Sequence, residues 1–208
     1  NGQQALDLAT TLGDSTLQSS ALEGLGKSLQ EQGDFQAALD SYEQVLTLVQ
    51  KANLPTLEVN ALRQMGKVYR DLQRLDDALV AYRDALTKAE KLQDPALLGA
   101  IHADLGALYM AQSQWDEAQA AYDQALALGR EVGDATLVRT VLNGLGTVQQ
   151  TRKDYEGALS SYTELLTAAR EMPDPVLEGE TLVKLGRLAS EQDKDDEALT
   201  YYQQAREL

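Results

Sequence analysis

The sequence predicts an all-α protein, a solenoid made of antiparallel helix pairs. Leu and Ala dominate its 208 residues, aromatic residues make up 5% and there are only 4 prolines, which is a helix-favouring composition. An internal repeat is the second observation, because five stretches align at an offset of 40 residues without insertion or deletion. These stretches begin at Ala21, Ala61, Ile101, Val141 and Thr181.

Three residue types recur at fixed places in all five stretches, which indicates a shared packing arrangement. The glycines are Gly26, Gly66, Gly106, Gly146 and Gly186, the alanines are Ala38, Ala78, Ala118, Ala158 and Ala198, and the tyrosines are Tyr42, Tyr82, Tyr122, Tyr162 and Tyr202. A single helix pair cannot bury both of its faces, so stacked copies are expected to share one continuous core.

Turn signals divide each repeat into a first (A) and a second (B) helix. Gly33-Asp34 can end one helix and cap the next, while Asp94-Pro95 and Asp174-Pro175 place an N-cap before a proline at the first helical position. Apolar residues recur at helical spacing between these breaks. We expect A helices near 15–32, 55–72, 95–112, 135–152 and 175–192, and B helices near 35–52, 75–92, 115–132, 155–172 and 195–208.

The repeated glycine lies inside each predicted A helix, where it costs about 0.5–1 kcal/mol relative to alanine. Five occurrences of this cost imply a packing reason. We expect a close approach of the B helix at its repeated alanine, and we expect the tyrosine to wedge between neighbouring repeats.

The repeat resembles the tetratricopeptide repeat family. One copy of the family pattern is matched by Leu62, Met65-Gly66, Tyr69, Ala78, Tyr82 and Ala85. The 40-residue length is similar to the long units of Partner-of-Inscuteable scaffolds and kinesin light chains. Departures from the pattern occur where Gln149 and Ala189 replace the aromatic residue of the A helix, and where Asp195 replaces the aromatic residue that opens helix B.

The resemblance implies a right-handed superhelix with its A helices lining a concave groove. It further implies a non-catalytic protein–protein interaction scaffold that binds a peptide or helix in that groove. Long units of this kind also occur as sensor arms of bacterial signalling ATPases and caspase-like proteases, so a sensor or regulatory arm of a larger signalling enzyme is an alternative.

The repeat borders predict a single array that is a fragment of a longer one. Full repeats cover residues 21–60, 61–100, 101–140 and 141–180, and residues 181–208 form a partial repeat. Residues 1–20 align with the second half of a unit whose first half is missing. Self-association through such truncated ends is a further alternative.

Composition argues against several classes of function. A formal net charge of -15 disfavours nucleic acid and anionic membrane surfaces as partners, because both require a basic surface. There is no cysteine, no apolar run long enough to span a membrane and no targeting segment, and we expect a cytoplasmic location. His102 is the single histidine and occupies the large-residue packing position of its repeat, so we expect no Ser/His/Asp set to converge on it, and we predict neither an enzyme nor any cofactor or metal.

The resemblance assigns a set of surface positions to the inner side of the array, and we call this set the A-helix face. It consists of Ser20, Glu23, Gly24, Lys27, Gln30 and Glu31 together with the residues 40, 80, 120 and 160 positions further on. These 30 positions hold six basic and six acidic residues, so their formal charge is zero. The remaining residues therefore carry the whole charge of -15, which makes this face electrostatically distinct.

The candidate peptide-binding residues follow from the chemistry of this face. They are Lys27, Arg63, Lys67, Arg70, Met110, Asn143, Gln150, Lys184 and Arg187. Cations suit the acidic groups of a protein or peptide partner, Met110 provides an apolar floor, and the amides can bind a peptide backbone. The alternative is that the cations pair with Glu23, Glu31, Asp71 and Asp104 and only balance the charge of the face.

Overall fold

The computed structural model describes residues 14–208, and this part of the chain contains ten α-helices and no strand. The A helices are α1 (Ser15–Glu31), α3 (Pro55–Asp71), α5 (Pro95–Ala111), α7 (Ala135–Thr151) and α9 (Pro175–Ser190). The B helices are α2 (Phe35–Lys51), α4 (Leu75–Leu92), α6 (Trp115–Val132), α8 (Tyr155–Glu171) and α10 (Asp195–Glu207). These bounds agree with the predicted helices to within two residues, and the expected half-repeat at residues 1–20 falls mostly outside the described residues.

Aspartate side chains cap the helices at the predicted places. The Oδ1 atom of Asp134 accepts a hydrogen bond from the backbone N–H of Leu137 at 2.9 Å, and Asp94 and Asp174 cap α5 and α9 in the same way. Gly33 lies in the turn between α1 and α2 and has a φ of +81°, a left-handed conformation that glycine adopts without strain. The local sequence therefore sets where these helices begin and end.

Left-handed residues other than glycine occupy the equivalent turns, which the sequence analysis did not foresee. The residues at the position of Gly33 in the later repeats all have a φ between 58° and 63°. They are Gln73, Ser113, Lys153 and Asp193. The repeat geometry therefore imposes this turn even where the side chain disfavours it.

The chain divides into two compact units, one ending at Asp104 and the other beginning at Leu105. In the first unit, α2 packs against α1 and α3, and α3 packs against α4. Its core includes Tyr42, which lies among Met65 and Val68 of the following A helix. In the second unit, α7 packs against α6 and α8, and α9 packs against α8 and α10, with Tyr162 among Leu182 and Leu185.

The repeated glycine accommodates the ring of the repeated tyrosine. A Cβ atom added at Gly66 would lie 2.5 Å from a ring carbon of Tyr82, and the same relation holds for the other four glycines and the tyrosines of their own repeats. The close neighbour is thus the tyrosine, and our expectation that the repeated alanine fills this role was wrong. A ring beside a helix backbone buries more apolar surface than an alanine methyl group would.

The expectation that the tyrosine wedges between repeats is confirmed in both units. Tyr122 lies against Gly106 of its own repeat and against Gly144 of the next A helix. Tyr42 and Tyr162 contact apolar residues of the following repeats, and each ring is about 1% exposed. Each of these three tyrosines therefore packs between its own repeat and the next one, whereas Tyr202 of the last described repeat is 39% exposed.

Candidate functional site

Asp104 lies between two of the predicted binding cations in the first unit. Its Oδ2 atom accepts a hydrogen bond from Nε of Arg63 at 2.9 Å, and its Oδ1 atom lies 3.4 Å from Nζ of Lys67. The Asp104 side chain is only 11% exposed, so these ion pairs are shielded from water. Arg63 and Lys67 are therefore already paired with a carboxylate of the same chain.

The other two predicted binding cations of the first unit, Lys27 and Arg70, also have acidic neighbours. Arg70 lies 3.6 Å from Asp71, and Lys27 lies 4.0 Å from Glu31. The Lys27–Glu31 pair is exposed on both sides, and pairs of this kind contribute about 0–1 kcal/mol. The pairing proposed as the alternative is therefore present for Glu31, Asp71 and Asp104, whereas Glu23 takes part in no ion pair with the described residues.

A regular set of hydrogen bonds links neighbouring A helices across this face. Each bond joins residues that are 41 positions apart, which is one repeat plus one residue. The first-unit pairs are Gln30–Asp71 and Arg63–Asp104, and the second-unit pairs are Gln150–Glu191 and Asn143–Lys184. Several predicted binding residues therefore also fix the register of adjacent repeats, and complementary residues at a spacing of 41 were the signal in the sequence.

The remaining predicted residues lie in the second unit with distinct surroundings. The sulfur of Met110 accepts a hydrogen bond from the Tyr122 hydroxyl at 3.4 Å. Nζ of Lys184 lies 5.8 Å from the ring centroid of Tyr162, within cation–π range, and burial lowers the pKa of Lys184. Arg187 is exposed and lines a cleft, so it is more accessible than Arg63.

The A-helix face of the first unit contains a cleft of about 630 Å³, which we call the first cleft. Its walls come from α1 and α3, and the ring of Tyr42 lies at its edge. The lining residues are Ser20, Glu23, Gly24, Lys27, Gln30, Glu31, Tyr42, Gln64 and Lys67. All of them except Tyr42 belong to the predicted A-helix face, although the sequence analysis treated Glu23 only as a counter-charge and did not select Gln64.

A second cleft of about 520 Å³ lies in the second unit. Its lining residues are Thr147, Gln150, Thr151, Lys153, Tyr155, Arg187 and Glu191. Five of the seven are A-helix face positions contributed by α7, by α9 and by Glu191, which caps the C-terminal end of α9. Lys153 and Arg187 make no ion pair with the described residues, so their charges are available to a ligand.

Glu23 is the least satisfied ionisable group of the first cleft. Its Oε1 atom is buried and has no hydrogen-bond partner within residues 14–208. Burial raises the pKa of Glu23, because the charged form loses its contact with water. Burial, together with the nearby carboxylates of Glu23 and Glu31, raises the pKa of Tyr42 to about 12.

The raised pKa of Glu23 predicts a pH-dependent loss of stability. The folded state binds the Glu23 proton more tightly than the unfolded state, so stability falls as the pH rises from the unfolded value of 4.5 through the folded pKa. The neutral variant Glu23→Gln should remove this loss and be more stable than the wild type at pH 7, with the difference vanishing near pH 4. Urea denaturation at both pH values measures this; equal stability of the two proteins at pH 7 would contradict the burial of the charge.

Neither a metal site nor a membrane span is evident in the described part of the chain. Residues 14–208 contain no group of three His, Asp or Glu side chains arranged to hold a metal ion. Among the same residues, no helix combines the length and apolar character needed to cross a bilayer.

Sequence comparison identifies one repeat family along nearly the whole chain. Models described as tetratricopeptide repeat match residues 1–51, 19–91 and 97–171, and a further tetratricopeptide repeat model matches residues 180–208. No curated protein is significantly similar to the chain in sequence.

Solved structures with the same fold include proteins of several kinds. BtubC from P. vanneervenii superposes with a TM-score of 0.90 at 19% identity, over 99% of this chain and 87% of that one. A signal transduction ATPase with a tetratricopeptide repeat sensor, from Pyrococcus horikoshii, gives 0.84 at 18% identity, over 98% of this chain but 31% of that one. A Rap protein complexed with competence and sporulation factor gives 0.77 at 13% identity, over 93% and 64%.

Proposed function

The chain belongs to the tetratricopeptide repeat family, and from this premise we propose that it is a protein-interaction scaffold whose A-helix face binds a peptide or helix of a partner. In this proposal the chain performs no chemistry of its own. Its contribution is a row of side chains held at fixed spacing by the repeat, which is the preorganisation that lowers the entropic cost of binding.

One observation carries the proposal: both clefts described above open among A-helix face residues, one in each unit. They combine exposed cations with amide and hydroxyl groups, which suits the backbone and polar side chains of a peptide. The solved Rap structure contains a bound factor, and the ATPase carries its tetratricopeptide repeats as a sensor. These neighbours support, by analogy of fold, a binding role either as a free scaffold or as a sensor arm.

Variants that test the proposal should replace cations that do not stabilise the fold through ion pairs. Charge reversal at Arg63 would disrupt the bond to Asp104 and confuse lost binding with lost stability. Lys27 and Arg187 are better choices, because Lys27 has only a long, exposed ion pair and Arg187 has none with the described residues. Arg83, an exposed cation on the B helix α4, is the matched control.

The experiment is a selection of random-sequence displayed peptides on the wild-type chain, followed by affinity measurements on the variants. We expect Lys27→Glu or Arg187→Glu to change the affinity of selected peptides by about tenfold or more, since nearby charges govern docking. Arg83→Glu should leave the affinity within about twofold. Peptides that bind but respond only to Arg83→Glu, or a selection that yields no binder, would contradict the proposal.

A further inference from the structure

We infer that the first cleft receives a basic side chain of the partner, and that Glu23 is the carboxylate that binds it. This inference rests on the proposed function, since it names what the A-helix face recognises in the first unit. It also reverses, for this cleft, the expectation that the partner contributes acidic groups.

Glu23 has unused hydrogen-bonding capacity. Its buried Oε1 atom has no hydrogen-bond partner in the described part of the chain. An acceptor left unpaired in this way destabilises the fold, and more strongly when it is charged. A hydrogen-bond donor supplied by a ligand would remove this penalty. A cationic donor would stabilise the carboxylate more than a neutral donor would, because charge-assisted hydrogen bonds are stronger.

Tyr42 differs from Tyr162, its counterpart in the second unit, whereas the hydroxyl of Tyr82 is buried and likewise has no hydrogen-bond partner among the described residues. The Tyr162 hydroxyl donates to Oε1 of Gln150 at 3.2 Å, and Gln150 in turn donates to Glu191. In the first unit Gln30 makes the equivalent bond to Asp71, yet the hydroxyl of Tyr42 has no hydrogen-bond partner among residues 14–208. Because Tyr42 lines the cleft, this hydroxyl is available to the same ligand as Glu23.

Gln64 occupies the sequence position at which a hydrogen bond to Glu23 would be expected. Glu23 and Gln64 are 41 residues apart, the spacing at which neighbouring A helices form their cross-links elsewhere. No bond joins them within the described structure, and both side chains line the cleft. In place of a hydrogen bond between α1 and α3, this position therefore has an open cleft lined by the Glu23 carboxylate and the Gln64 amide oxygen, both of which can accept a hydrogen bond.

The ion pairs of the first cleft leave the carboxylate of Glu23 without a counter-charge. The charged groups that line it are Glu23, Glu31, Lys27 and Lys67. Lys67 pairs with Asp104 and Lys27 with Glu31, so neither lysine neutralises Glu23. An acidic ligand group placed here would face two carboxylates, whereas a cation would complement them, and the raised pKa of Glu23 is consistent with its missing counter-charge.

Arginine fits these groups better than lysine does. Its planar guanidinium has five N–H donors in a fixed fork, enough to serve a carboxylate, an amide oxygen and a hydroxyl oxygen at once. Lysine has three N–H donors on a single nitrogen, so it could bind the Glu23 carboxylate as well as arginine does but could not reach the other two acceptors at the same time. Free cations, in contrast, line the second cleft through Lys153 and Arg187, which leaves that cleft suited to acidic groups.

The test uses the full chain and the peptides selected on it. We expect a recurrent arginine or lysine among peptides whose affinity depends on Lys27→Glu. Replacing that arginine with citrulline, its neutral isostere, should weaken binding by about tenfold or more. Glu23→Gln should weaken the arginine peptide by a similar factor, and the two changes together should have little more effect than either alone.

The controls separate this inference from the proposed function. Tyr42→Phe removes only the free hydroxyl and should weaken the arginine peptide severalfold while leaving the melting temperature nearly unchanged. Glu23→Gln should raise the melting temperature at pH 7, so weaker binding by that variant cannot result from lost stability. Peptides that bind the A-helix face through aspartate or glutamate, and that are indifferent to Glu23→Gln, would overturn the inference and leave the proposed function standing. Binding that ignores every A-helix face variant would overturn both.

Discussion

Replacing Gly66 with alanine is expected to destabilise the protein by about 1–3 kcal/mol, although alanine is the better helix former. The new methyl group would lie within 2.5–2.8 Å of three ring atoms of Tyr82. That ring is fully buried, so it cannot move aside without displacing its neighbours. Urea denaturation, compared by midpoint and slope, measures the effect.

Gly24 provides the matched control in another A helix. It also lies inside a helix, yet a Cβ atom added there would have no neighbour within 4 Å. Gly24→Ala should therefore stabilise the protein by about 0.5–1 kcal/mol through helix propensity alone. If Gly66→Ala stabilised the protein as Gly24→Ala does, the glycine–tyrosine packing described above would be wrong.

Removing the carboxylate of Asp104 is expected to cost about 2–3 kcal/mol, the second large effect. Asp104→Asn would leave Arg63 and Lys67, whose side chains are 15% and 29% exposed, without their shared counter-charge. The loss should appear as a lower denaturation midpoint in the first unit. Lys27→Met, which removes only an exposed pair, should change stability by less than about 0.5 kcal/mol.

A double-mutant cycle separates the ion pairs from other effects of the Asp104 substitution. In a background carrying Arg63→Met and Lys67→Met, Asp104→Asn should cost much less than it does in the wild type, because no unpaired cation remains. An equal cost in the two backgrounds would show that Asp104 stabilises the protein through something other than these two cations.

The sequence predicted the helices well because their ends depend on local chemistry. Aspartate caps, prolines at the first helical position and Gly33 act within a few residues, so the spacing of these signals determined the bounds. The exact 40-residue offset then identified the repeat and its family. None of these inferences required knowledge of which side chains meet in space.

The errors concern contacts across helices, which spacing alone does not specify. The repeated alanine and tyrosine are one helical turn apart, so both were plausible neighbours of the glycine until the orientation of the helix pair was known. Similarly, the cations of the A-helix face were visible in the sequence, but the partners that Asp104 and Asp71 provide lie in other helices. The left-handed Gln73 follows from the repeat geometry and not from its own preference.

The central claim, that the A-helix face is the binding surface, is tested most directly by a map of ligand contacts on the intact chain. Backbone amide resonances of the isotopically labelled protein would be followed during titration with a selected arginine-containing peptide. We predict that the largest shifts fall on α1 and α3 around Glu23, Lys27 and Gln64, and that Glu23→Gln reduces them strongly at the same subsaturating peptide concentration. Largest shifts on the exposed side of the B helices, around Arg83, would contradict the claim.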